Sequence, residues 1–106
     1  MQKINKKVSA VIVTYNHDKI IFERLINRLL PQTFEIIICN NSDRLLNFTI
    51  SDKKIFIKEM SGNIGIAAAQ NIGMDLAFKN GADFIIQFDQ DSVPSTDLIE
   101  KLVQVF

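Results

Sequence analysis

The run VSAVIVTYN, from Val8 to Asn16, is too apolar to alternate between a wet face and a dry one. A β-branched segment of that kind calls for cover on both faces, which is the condition of a strand inside a parallel sheet. FEIIICNNSD repeats the pattern and is stopped by Asn40, Asn41 and Ser42. KKIFIKEM, with Ile55 and Ile57 alternating against charge, predicts a third strand, and ADFIIQFDQD a fourth.

Helical spacings separate these strands. Ile21, Phe22, Leu25, Ile26, Leu29 and Leu30 fall on one face of a helix from Asp18 to Leu30, ended by Pro31. SGNIGIAAAQNIGMDLAFKNG opens with a glycine-bearing loop and becomes an alanine-rich helix that stops near Asn80 and Gly81. Asp97 and Glu100 form a capping box for a last helix running to Phe106. RLLNFTISD is too short to be assigned a helix. The order β-α-β-loop-β-α-β-α predicts an α/β fold, Rossmann-like and doubly wound. Its mainly parallel sheet has about four strands, with helices on both faces. No repeat or linker divides the chain, so residues 1–106 are expected to form a single domain.

Charge and rare residues narrow the function. Twelve basic residues balance twelve acidic ones, which leaves no electrostatic footprint for nucleic acid. Cys39 is the only cysteine and His17 the only histidine. A disulfide within the chain, a thiolate-rich metal site and a multi-histidine site are thereby excluded. Apolar runs fall far short of the roughly 20 residues that cross a bilayer. No small-residue cleavage site follows VSAVIV, so a soluble cytoplasmic protein is expected.

Ligands of open parallel sheets bind beyond the carboxyl ends of the strands, where strand order reverses. The polar residues of this chain gather at those ends: Thr14, Tyr15 and Asn16, then Asn40 to Asp43, then Asn63 and Gly65, then Asp89 and Asp91. In FIIQFDQDSVP, Asp89 and Asp91 are two apart, and on a continuing strand both would face one way with Gln90 facing elsewhere. Such carboxylates repel unless a cation or proton intervenes, and Mg²⁺ or Mn²⁺ takes oxygen ligands of this kind. The alternative is a solvated turn leading to Pro94. Gly65 permits tight entry into the alanine-rich helix, whose first N–H groups can face an anion. Gly73 inside that helix costs up to about 1 kcal/mol against alanine, so close packing or ligand approach should compensate. The Asn40 amide can pair with the N3–H and O4 of a uracil or thymine ring, or simply turn the chain. Tyr15 can stack on a base or be partly buried.

VSAVIVTYN, IIICNNS, GNIGIAAAQNIG and FDQDSVPS, in this order and spacing, resemble the nucleotide-sugar-binding half of family 2 glycosyltransferases of the GT-A fold. The pairing of NIGIAAAQNIG with DQDS is most similar to the rhamnosyltransferase branch. The resemblance implies a dTDP- or UDP-sugar donor, dTDP-L-rhamnose in that branch, and a saccharide or lipid-linked acceptor in polysaccharide synthesis. It implies that Thr14 and Asn16 line the base and ribose pocket, with Tyr15 beside them. Asn40 stands where the family usually has an aspartate on the base. Asn63 and Gly65 would shape the nucleotide wall, and Gln70 and Asn71 the helix face towards the donor. Asp89 would face the ribose or a metal-bound water, and Asp91 would ligate the divalent Mg²⁺ or Mn²⁺.

No residue of the chain matches the family's general base, which is expected beyond Phe106. A truncated piece that binds donor weakly and transfers little alone is therefore expected. Exposed apolar surface where further chain would pack suggests a homo-oligomer. A full-length parent would be cytoplasmic or lie at the inner face of the membrane. Two alternatives stand beside this reading. One is a non-catalytic nucleotide-sugar-binding or assembly module. The other rests on a resemblance of FDQDSV to haloacid dehalogenase phosphatases, with Asp89 as nucleophile and Asp91 as acid/base. That family needs the motif early, with a lysine and further acidic motifs after it.

Overall fold

A computed structural model describes residues 6–105. Four strands, β1 (Val8–Thr14), β2 (Glu35–Asn40), β3 (Ile55–Glu59) and β4 (Phe84–Phe88), form one sheet in the order β3-β2-β1-β4. Every pairing is parallel. The expected α/β architecture, a parallel sheet of four strands, is therefore present.

Helices cover both faces. α1 (Lys19–Leu29) buries Phe22, Leu25, Ile26 and Leu29 against Val8, Ala10, Ile12, Ile36 and Ile38, and Ile99 of α3 (Leu98–Gln104) joins them. α2 (Ile66–Lys79) lies on the opposite face, over Val11, Ile37 and Cys39. Every residue of β2 is buried, which is why its sequence runs apolar without alternation. Leu46, Phe48 and Ile50 of the irregular β2–β3 segment pack onto the α1 core and extend it.

The stripe that α2 buries is Ala69, Gly73 and Ala77, four residues apart. Small side chains let the helix axis come close to β1 and β2, which is the close packing expected of Gly73. At the amino ends of the strands Glu35 is buried, and it accepts from Ser9 Oγ at 2.7 Å and Asn80 Nδ2 at 2.9 Å. These bonds fasten the end of α2 to the side of the sheet away from the strands' carboxyl ends.

As expected, α1 ends before Pro31, which sits in a following 3-10 turn, Leu30–Gln32. Local expectations change elsewhere. β4 ends at Phe88, and Asp89 accepts from Ser92 N–H at 3.1 Å, so the D-x-D triplet is a turn and strand alternation does not orient it. Asp97 precedes α3 but makes no side-chain cap. Its carboxylate accepts from Ser95 Oγ at 3.0 Å, and Gln32 Oε1 takes the Ile99 N–H instead. α3 ends at Gln104 with Val105 as its C-cap, short of the expected Phe106, which itself lies outside the described residues.

Candidate functional site

Strand order reverses between β1, which pairs with β2, and β4, the next strand to join β1. At their carboxyl ends opens a cleft of about 480 Å³. Val13 and Phe88 form its apolar base, α2 supplies Ile66 and Gln70, and Tyr15, Asn41, Asn63, Gly65, Asp89, Gln90 and Asp91 complete the lining. Six residues singled out from the sequence thus meet here: Tyr15, Asn63, Gly65, Gln70, Asp89 and Asp91.

Each wall has a local cause. Gly65 precedes α2 with φ of +90°, a backbone that L side chains rarely adopt, and this turns the chain sharply into the helix. Asn63 Oδ1 accepts from Gly65 N–H at 2.8 Å and from Asn41 Nδ2 at 3.0 Å, while Asn41 Oδ1 accepts from Ile64 N–H at 2.9 Å. Asn41 therefore pins the loop before α2 to the end of β2. It lies on the α2 side of the sheet, one residue beyond Asn40, and that alternation was the available signal for it. Asn41 was expected on the polar rim without a role of its own, whereas Gln90 is a cleft residue that the sequence did not single out. It was expected to face away from the carboxylates, yet it lines the same cleft and bonds the backbone of Tyr15.

The remaining four residues are elsewhere. Asn16 and Asn40 line a second pocket of about 170 Å³ with His17, Ser42 and Arg44. Asn16 adopts a φ of +46°, tolerable for asparagine, and its N–H donates to Ser42 Oγ at 2.7 Å. Thr14 is buried and lines neither pocket; Asn71 is exposed on α2 and lines neither.

Asn40 has a different task from the one its chemistry suggested. Thr14, Asn40 and Glu59 are register partners across β1, β2 and β3. Asn40 Oδ1 accepts from Thr14 Oγ1 at 3.1 Å and Ser42 N–H at 3.3 Å. Its Nδ2 donates to Glu59 Oε1 at 2.7 Å and the Arg44 carbonyl at 2.8 Å. Two donors and two acceptor positions are all the amide has. Asn40 is fully buried and saturated by the protein, so in this arrangement it has nothing left with which to read a base. It organises the rim by joining three strand ends.

The donor set suits a hard cation. Asp89 and Asp91 are exposed carboxylates on one cleft, and all-oxygen ligands are what Mg²⁺ and Mn²⁺ prefer. Among the described residues no group of three or more His, Cys, Asp or Glu could hold a metal ion by itself. Two carboxylates with substrate phosphates completing the shell is the arrangement Mg²⁺ commonly uses. Cys39 offers no nucleophile: burial pushes its thiol up to about 11, only partly opposed by Lys58. No helix among the described residues is long and apolar enough to cross a membrane.

A 104-residue stretch is 38% identical to the dTDP-rhamnosyl transferase RfbF of Shigella flexneri, covering 93% of this chain and 34% of that protein. The chain thus spans about a third of the length of the curated relative it matches. The family model for glycosyl transferase family 2 matches residues 9–106, nearly the whole chain, and sets aside the haloacid dehalogenase resemblance. With this match, its four-stranded parallel sheet and its cleft at the switch point, the chain belongs to glycosyl transferase family 2.

Proposed function

We propose that the chain is the donor-binding part of a glycosyltransferase that moves a sugar from a nucleoside diphosphate to an acceptor hydroxyl. The donor is dTDP-L-rhamnose in this reading. What carries it is the convergence of Asp89 and Asp91 with Tyr15 and Gln70 on one cleft at the carboxyl ends of β1 and β4. The similarity to a dTDP-rhamnosyl transferase supports the choice of donor.

The chemistry follows from where charge grows. As the bond between the sugar's anomeric carbon and the phosphate oxygen breaks, negative charge accumulates on the departing diphosphate. Asp91 would hold a divalent cation whose charge offsets that growth without a proton transfer, with Asp89 beside it facing the ribose or a metal-bound water. Tyr15, about half exposed, presents an aromatic face on which a base can stack. The wall held by Asn41 and Asn63 and the side chain of Gln70 bound the nucleotide from the α2 side.

Calorimetric titration of the chain with dTDP, with and without Mn²⁺, tests the reading. Binding that requires the metal is the expected result; equal binding in both, or none in either, would overturn it. A transfer assay with a saccharide or lipid-linked acceptor separates a catalytic chain from a binding module.

A further inference from the structure

Strand pairing between β1 and β4 reaches only Ile12 and Phe88. Beyond that point the two chains diverge into the loops that carry Tyr15 and the D-x-D turn. One side chain bridges them. Gln90 Oε1 accepts from the Tyr15 N–H at 2.8 Å, and Gln90 Nε2 donates to the Tyr15 carbonyl at 3.2 Å. A primary amide offers a donor and an acceptor side by side, as a strand backbone does, so Gln90 continues the sheet's pairing with a side chain where backbone pairing has stopped.

The two ends of this clamp have different targets. Asp89 and Asp91 flank Gln90 in sequence, and Tyr15 is the exposed aromatic residue of the same cleft, Phe88 being partly buried at its base. A nucleoside diphosphate has an aromatic end and an anionic end joined through one ribose, which limits their separation. Holding both receptor groups at that separation before binding removes an ordering cost that the ligand would otherwise meet.

We propose that Gln90 is a positioning residue: it locks the Tyr15 backbone to the D-x-D turn, so that the ring and the two carboxylates meet the nucleoside and diphosphate ends of one ligand together. The role rests on the donor-site reading above. It makes the middle residue of the triplet a determinant of nucleotide affinity without placing it on the metal.

The sequence supplies a local probe, because Tyr15 is the only tyrosine and there is no tryptophan. Intrinsic emission of the whole chain therefore reports on Tyr15. In Gln90→Met, which keeps the side chain's length but neither hydrogen bond, emission anisotropy of Tyr15 should fall. Affinity for dTDP with Mn²⁺ should fall about 5- to 30-fold, the scale of losing one or two hydrogen bonds. The thermal midpoint should stay close to that of the unmodified chain, since the bonds lie at an exposed rim. Gln90→Ala should repeat both losses. Unchanged anisotropy, or unchanged dTDP affinity with Tyr15 released, overturns this role alone. Absence of metal-dependent binding in the unmodified chain overturns the donor site, and this role with it.

Discussion

A Cβ placed on Gly73 would lie 2.5 Å from Val11 Cγ1 and 3.1 Å from Cys39 Sγ. The first distance is well inside van der Waals contact, so α2 approaches the centre of the sheet as closely as it does only because residue 73 has no side chain. Gly73→Ala gains about 0.8–1.0 kcal/mol of helix propensity. Overpacking a tight core opposes this with about 1–3 kcal/mol. The variant should therefore be less stable, by up to about 2 kcal/mol in urea unfolding. Combining it with Val11→Ala should recover part of the loss, and a positive coupling between the two sites checks the cause.

That contact also shows what the sequence could reveal. Glycine within an alanine-rich helix pointed to close approach, and the unbroken apolar character of β2 pointed to cover on both faces. These are local patterns with one physical cause. Asn40 is different: its amide chemistry was legible, but Glu59 reaches it from 19 positions away along the chain. The capping box before α3 failed similarly, because Gln32, 67 positions away, claims the Ile99 N–H. The D-x-D triplet mimics strand alternation, and only the turn closed by Ser92 N–H shows that β4 has already ended. Residues whose partners are distant in sequence were placed in the right region and given the wrong partner.

Asn40→Asp is the sharpest test of the three-strand bridge. An aspartate keeps the acceptors for Thr14 and Ser42 but has no hydrogen for the Glu59 carboxylate or the Arg44 carbonyl. It would also set a second carboxylate against Glu59 in a buried place. Stability should fall by about 2–3 kcal/mol, the scale of buried polar groups left without partners. Adding Glu59→Gln should restore a substantial part by returning a donor to the pair. Urea unfolding of both variants measures this, and an unchanged midpoint in Asn40→Asp would refute the bridge.

Glu23 on α1 holds the β2–β3 segment, since its carboxylate accepts from Thr49 N–H at 2.8 Å and from Thr49 Oγ1. The Thr49 backbone bond is the main cause that holds its carboxyl below the ordinary value of 4.5. A carboxyl with a lowered folded-state value stabilises fully above the unfolded value and loses that contribution as pH falls through the folded one. Stability measured downward from neutral pH should therefore lose a component below about pH 4.5. Glu23→Gln should be less stable than the parent near neutrality, and the gap should close in acid. A gap independent of pH would point to packing instead.

The D-x-D carboxylates should behave in the opposite sense, because in the proposed function they serve a ligand rather than the fold. Asp89 and Asp91 are exposed, and neither makes a side-chain hydrogen bond or ion pair among the described residues. Replacing either with asparagine should change stability by no more than about 0.5 kcal/mol. Relief of repulsion between neighbouring carboxylates can make the change favourable. Binding should separate the two. Outer partners of a metal are typically worth about 10–100-fold in metal affinity. Asp91→Asn, which removes a direct ligand in this reading, should weaken Mn²⁺-dependent dTDP binding at least that much. Asp89→Asn should retain a metal-dependent increment while losing nucleotide affinity, because the proposed role of Asp89 is on the ribose side. Isothermal titration of each variant with dTDP, at fixed and at zero Mn²⁺, distinguishes the two roles. If both variants lost the metal dependence equally, Asp89 would be a second ligand and the division of labour between the carboxylates would be wrong.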